Sequence, residues 1–249
     1  MLNPIRRNKN IGTGKQGVGK SNKLVIPDPD VRHFCERLGN YKKTKRVINN
    51  HEFIIIEEET NKKYSHACSL EDIVRLINLV PKEDYGELKY IILRQPKHKE
   101  NLLSPVWGKL MYSYEFENEF FPAIILESQN YTKPLKWPKK LSPDSRLEVE
   151  RLKEDGHLFV EDKRHFTIEL SLQNVRSTQL FRTIFHEFGH YVHYMNIVEK
   201  PGLDEEEIEE WDKRYNYYFS LPSKEKETFA NQYAENLRES LKEYGLIPF

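Results

Sequence analysis

The chain has 249 residues, of which 38% are apolar and 31% charged, and its 39 basic and 39 acidic residues balance to a net charge of zero. That length holds one large domain or two small ones, and a balanced charge gives no global pull toward nucleic acid or an anionic surface. Two cysteines, Cys35 and Cys68, exclude a disulfide framework and a cysteine zinc cluster. No apolar run approaches the roughly 20 residues of a membrane span. The basic N-terminus lacks the apolar stretch of a signal peptide. The composition therefore predicts a soluble protein of a reducing compartment, the cytoplasm, with no membrane partner.

From Met1 to Pro27 there is no acidic residue, while Arg6, Arg7, Lys9, Lys15, Lys20 and Lys23 are cationic. Residues 1–30 are expected to be a flexible basic arm, because so polar a segment cannot bury enough apolar surface to offset its ordering entropy. Inside it, Gly14 to Ser21 spells the G-x-x-x-x-G-K-S pattern of a phosphate-binding loop. The chemistry of that loop needs a buried strand before it and a helix after it. The residues before it form no apolar run, and Pro27 and Pro29 leave less than two turns of helix behind it. No nucleotide is expected.

Residues 30–39 read as a short helix stopped by Gly39. Residues 51–59 and 62–69 read as two strands, with Thr60, Asn61 and Lys62 as a hairpin turn. The next helix has Ser69 as N-cap, Ile73, Leu76, Ile77 and Val80 on its apolar face, and Pro81 closing it. Residues 31–85 are thus expected to be a small separate ββα module. Beyond it, "LKYIILR", "GKLMYSYEF" and "FPAIILES" are three strands, and Pro134, Trp137 and Pro138 suit a loop. Ser142 and Pro143 open a helix that ends at Gly156. A hairpin around Lys163 follows. In its second strand Phe166, Ile168, Leu170 and Leu172 alternate with polar residues.

The remainder reads as helix: about 175–195, then an acidic, Tyr-rich helix, then a last helix after Pro222 with Ser223 as its cap. The acidic run from Asp204 to Glu210 suits a helix's first turn. The first of these helices carries H-E-x-x-H at His186, Glu187 and His190. A four-residue step advances about 40° around a helix and about 6 Å along it, so both imidazoles leave one face. That suits two corners of a zinc tetrahedron, with Glu187 placed to take a proton from water at the metal. His193 lies on the same face but about 10 Å along the axis from His186, too far to share one ion. The third ligand is expected from "ETFANQYAENL", where Glu227 offers a carboxylate. Ala230 and Ala234 permit a close helix approach there, and Asn231 could orient a ligand histidine through a hydrogen bond. Tyr191 and Tyr194 are candidates for stabilising an oxyanion.

H-E-x-x-H followed by E-x-x-A-[D/N] on a later helix resembles the gluzincin branch of zinc metallopeptidases. The stretches "LRQPKHKENLLSPVWGKL" and "STQLFRTIFHEFGHYVHY" are also similar to a bacterial group of zincin-like proteins that implies no substrate. The resemblance implies one Zn²⁺ held by His186, His190 and Glu227, with Glu187 as general base, Asn231 where Asp is frequent, and a peptide or protein substrate. It makes residues 86–249 a zincin-like α+β domain with a mixed sheet. The alternating strand before the motif is similar to the edge strand on which these enzymes lay substrate. An alternative function is a non-catalytic zinc protein that engages nucleic acid through the arm and the ββα module.

Overall fold

A computed structural model of the protein describes residues 36–97, 107–141, 143–202 and 207–247. The expected arm, its phosphate-loop pattern, residues 30–35 of the first expected helix and Ser142 lie outside the described residues. Chain contacts divide Met1–Arg37 from Leu38–Phe249. The second of these units is an α+β fold on a mixed sheet. Among its described residues no helix is long and apolar enough to cross a membrane.

The first strand, β1 (Tyr41–Ile48), pairs antiparallel with β2 (His51–Glu58). Asn49 and Asn50 join them with φ of 51° and 64°, the left-handed pair that a two-residue hairpin requires and that Asn tolerates. This hairpin corrects the expected one at Thr60, Asn61 and Lys62. Only Tyr64–Ser65 (β3) is extended beyond that point, and it pairs with Gln129–Asn130 (β7). β1 escaped the sequence reading because it is a solvated edge strand whose Lys42, Lys43, Lys45 and Arg46 hide its period.

Helix α1 (Leu70–Ile77) has the expected cap: the Ser69 hydroxyl accepts from the Asp72 amide, and the Asp72 carboxylate accepts from the Ser69 amide. The strands β4 (Tyr90–Arg94), β5 (Gly108–Phe116) and β6 (Glu119–Glu127) complete a five-stranded sheet in the order β1-β2-β4-β6-β5. β2, β4 and β6 run parallel, and the outer pairs are antiparallel. β4 is buried along its whole length, which its near-continuous apolar sequence requires of a central strand.

The expected boundary near residue 85 does not hold. β2 bonds directly to β4, and one buried cluster joins Phe53, Ile73, Ile91, Ile124, Phe188 and Ala234. A ββα unit alone would leave one sheet face bare, and burying that face against the later helices merges the two parts.

Trp137 lies in a strand, not a loop: β8 (Leu135–Pro138) flanks one side of β10 (His165–Ile168), and β9 (Phe159–Glu161) flanks the other. Between them runs α2 (Pro143–Glu154). A continuous helical run then holds α3 (Leu172–Thr178), a π segment (Gln179–Ile184), α4 (Phe185–Tyr194) and a second π segment (Met195–Glu199). Two further helices complete the unit, α5 (Ile208–Ser220) and α6 (Ser223–Glu243). Pro222, not Ser223, is the N-cap of α6, and no side chain bonds there.

Below α3 lies a buried polar chain. The Thr178 hydroxyl donates to Asp155 at 2.9 Å, so His157 Nε2, 3.0 Å from that hydroxyl, must be the donor to it. Its buried Nδ1 has no partner among the described residues, and burial lowers the His157 pKa from 6.5. In the window below pH 6.5 the unfolded chain binds this proton and the folded chain resists it. Stability from this group is therefore full above 6.5 and is lost as pH falls. Urea midpoints should drop as pH falls below 6.5, and His157→Gln should flatten that slope. An unchanged slope in the variant would remove His157 from the account.

Candidate metal centre

The motif helix α4 and the late helix α6 meet without side-chain bulk between them. A Cβ built on Gly189 would lie 2.8 Å from both the Cα and the carbonyl oxygen of Ala230. Ala230 is fully buried and Ala234 nearly so. Small residues at this crossing bring the two backbones together and set Glu227, one turn before Ala230 and Asn231, over the motif.

Glu227 Oε2 lies 3.3 Å from His186 Nε2, and Oε1 lies 3.5 Å from His190 Nε2. The three donor groups lie within 4.8 Å of one another. These separations are long for a charged N–H···O bond, which runs about 2.7–2.9 Å. They match the edge of a tetrahedron with metal–ligand bonds of about 2.0–2.1 Å, which is about 3.3–3.4 Å. Glu227 thus stands at ligand-to-ligand distance from each histidine, and His₂Glu is a donor set that a divalent metal takes. The adjacent His186, then His190, hold the Glu227 carboxyl well below the usual range. Burial opposes charge on His186, yet Glu227 and Glu187 outweigh it and raise that pKa.

Glu187 is buried between α4 and β5. Burial raises its pKa, opposed by His186, His190 and a hydrogen bond from the Leu110 backbone. A carboxylate whose basicity is raised beside a candidate metal position is suited to take a proton.

The site opens into a cleft of two lobes that share Gly108, His186, Glu187 and Glu227. One lobe, about 430 Å³, is walled by Leu110, Tyr112, Phe219 and Lys226. The other, about 300 Å³, is walled by Trp107, Trp137, Arg151 and Asn231. The edge strand at the cleft is β5, not the alternating strand expected to play that part. β10 is paired on both sides by β8 and β9, whereas β5 ends the five-stranded sheet. Gly108 is essential to this placement, because a Cβ there would meet Ile125 O at 2.6 Å and Thr183 Cγ2 at 2.8 Å.

His193 is not part of the donor group. It is buried, its ring stacked on Phe229 at 4.3 Å. Asn231 lines the cleft, as expected of a neighbour of Glu227, but no hydrogen bond joins it to either histidine. Tyr191 and Tyr194 point elsewhere. The Tyr191 hydroxyl accepts from the Glu87 amide at 2.8 Å, and that of Tyr194 donates to Glu199 at 2.7 Å. The tyrosine in the cleft is Tyr112, whose hydroxyl lies 2.7 Å from that of Tyr218, which in turn donates to His190 O at 3.3 Å. Its position in the strand "GKLMYSYEF" carried no local signal. Lys226, the residue before Glu227, also lines the cleft. No protein-family model, curated protein or solved structure matches this chain.

Proposed function

We propose that this protein is a zinc-dependent metallopeptidase with a zincin-like domain. The observation that carries the reading is the group of His186, His190 and Glu227, a zinc-type donor set brought together from two helices with Glu227 within 3.5 Å of both histidines. When bound, zinc supplies Lewis acidity, which makes water acidic enough to yield its proton near neutral pH.

Glu187 receives that proton and returns it to the leaving amine. Its burial favours both halves of the cycle, because a raised pKa narrows the gap between accepting and donating. The outer edge of β5 offers backbone groups to an extended peptide, which adds to the sheet as a further strand and lies across Glu187. The two lobes take side chains on either side of the reacting bond.

The test is Glu187→Gln. That variant should hold zinc at the wild-type stoichiometry and lose about a hundred- to ten-thousand-fold in cleavage of an unfolded protein substrate, the range of general-base catalysis. Wild-type activity in Glu187→Gln would sink the reading.

A further inference from the structure

The larger lobe of the cleft contains two lysines in different states. Lys109 is spoken for: its Nζ lies 3.4 Å from the buried carboxylate of Glu127. Lys226 has no carboxylate of the described residues within ion-pair distance. Its Nζ stands over the rings of Tyr218 and Phe219, 5.4 and 5.7 Å from their centroids. The neighbouring carboxylate, Glu227, is turned to the two histidines. An ammonium held over aromatic faces keeps its direction while its hydrogen-bond donors remain open. Leu110, Tyr112 and Phe219 wall the lobe beside it.

We propose that Lys226 is a specificity-determining residue that binds a carboxylate of the substrate in this lobe. This inference rests on the metallopeptidase reading. The ligand chemistry is a carboxylate on an extended peptide, supplied either by an Asp or Glu side chain near the cleaved bond or by the free C-terminus. Pairing of a carboxylate with the ammonium is charge-assisted and selects by charge. It should favour a carboxylate over a neutral group by about tenfold, the ratio that about 1.4 kcal/mol represents.

The test uses the full-length zinc-loaded protein and two peptide series. One series carries Gln, Glu or Lys at each internal position with amidated ends, and the other compares free and amidated C-termini on a neutral peptide. Cleavage is followed with the wild type, Lys226→Gln and Lys226→Glu. Binding is followed by fluorescence anisotropy with the same three residues at position 226 in a Glu187→Gln background, with zinc content measured throughout. The wild type should prefer a carboxylate about tenfold at one fixed position. Lys226→Gln should erase that preference, and Lys226→Glu should turn it toward Lys. The series that responds identifies the source of the carboxylate. No preference in the wild type, or the same preference in Lys226→Glu, overturns the proposal. A carboxylate preference in binding that depends on residue 226, with no peptide cut, would sustain Lys226 and refute the peptidase reading. Cleavage without charge preference would do the reverse.

Discussion

Glu227→Ala should strip the protein of zinc at stoichiometric metal and abolish cleavage even with zinc in excess. The carboxylate faces both histidines, so its removal leaves two nitrogens on one helix and nothing from the other. The loss of affinity should exceed the about 10–100-fold that attends removal of a group merely bonded to a ligand. Asn231→Ala should fall below that range, because Asn231 makes no hydrogen bond to His186 or His190. His193→Ala should keep the metal and lose stability through its stack on Phe229.

Thermal unfolding gives a readout independent of activity. Zinc at about a hundred times its Kd stabilises by about 2.7 kcal/mol, which is roughly 5–10 °C in a chain of this size. That shift should be present in His193→Ala and missing in Glu227→Ala. Full zinc retention in Glu227→Ala together with loss in His193→Ala would overturn the ligand assignment.

Gly189→Ala should cost nearly as much, although it alters no candidate ligand. Helix propensity alone favours the change by about 1 kcal/mol. Overpacking opposes it by about 1–3 kcal/mol, and here the obstacle is the backbone of Ala230 at 2.8 Å, which has no rotamer to yield. Ordinary contact begins at 3.4 Å, so α4 and α6 must separate by about 0.6 Å. A metal site tolerates about 0.2 Å in its bonds. Zinc affinity should therefore fall, with a lower melting temperature in the metal-free protein as well. Unchanged values of both would mean that the helices slide without strain and that the small-residue crossing does not set the site.

Much of the candidate site was legible because its parts are local patterns on helices. The spacing of His186 and His190 puts both rings on one face whatever the rest of the fold does. Glu227 could be named because Ala230, Asn231 and Ala234 accompany it at helical spacing. The Ser69 cap is likewise a local event and forms as expected, with Asp72 completing a capping box. The failures have the opposite character. Tyr191 and Tyr194 were candidates through nearness in sequence, but each is turned to a partner outside the cleft. Tyr112, 75 residues before Glu187, lines the cleft instead.

By itself, the sequence determined the identity and local spacing of the candidate site's residues: two histidines and a glutamate along one stretch of helix, a carboxylate on a later helix, and the small residues that let those helices touch. These derive from a 3.6-residue period that acts over a few angstroms. Which strand borders the site was decided only by the tertiary structure. β10 alternates more cleanly than β5, yet β8 and β9 cover both of its edges. Among the described residues β5 ends the sheet, because the parallel order of β2, β4 and β6 carries it outward to there. Strand order is a matter of non-local pairing, and alternation along one strand reports which face is buried, not which edge is free. For the same reason the β1–β2 hairpin and α1 joined the main core, because an apolar sheet face is buried by whichever helices the whole chain brings to it.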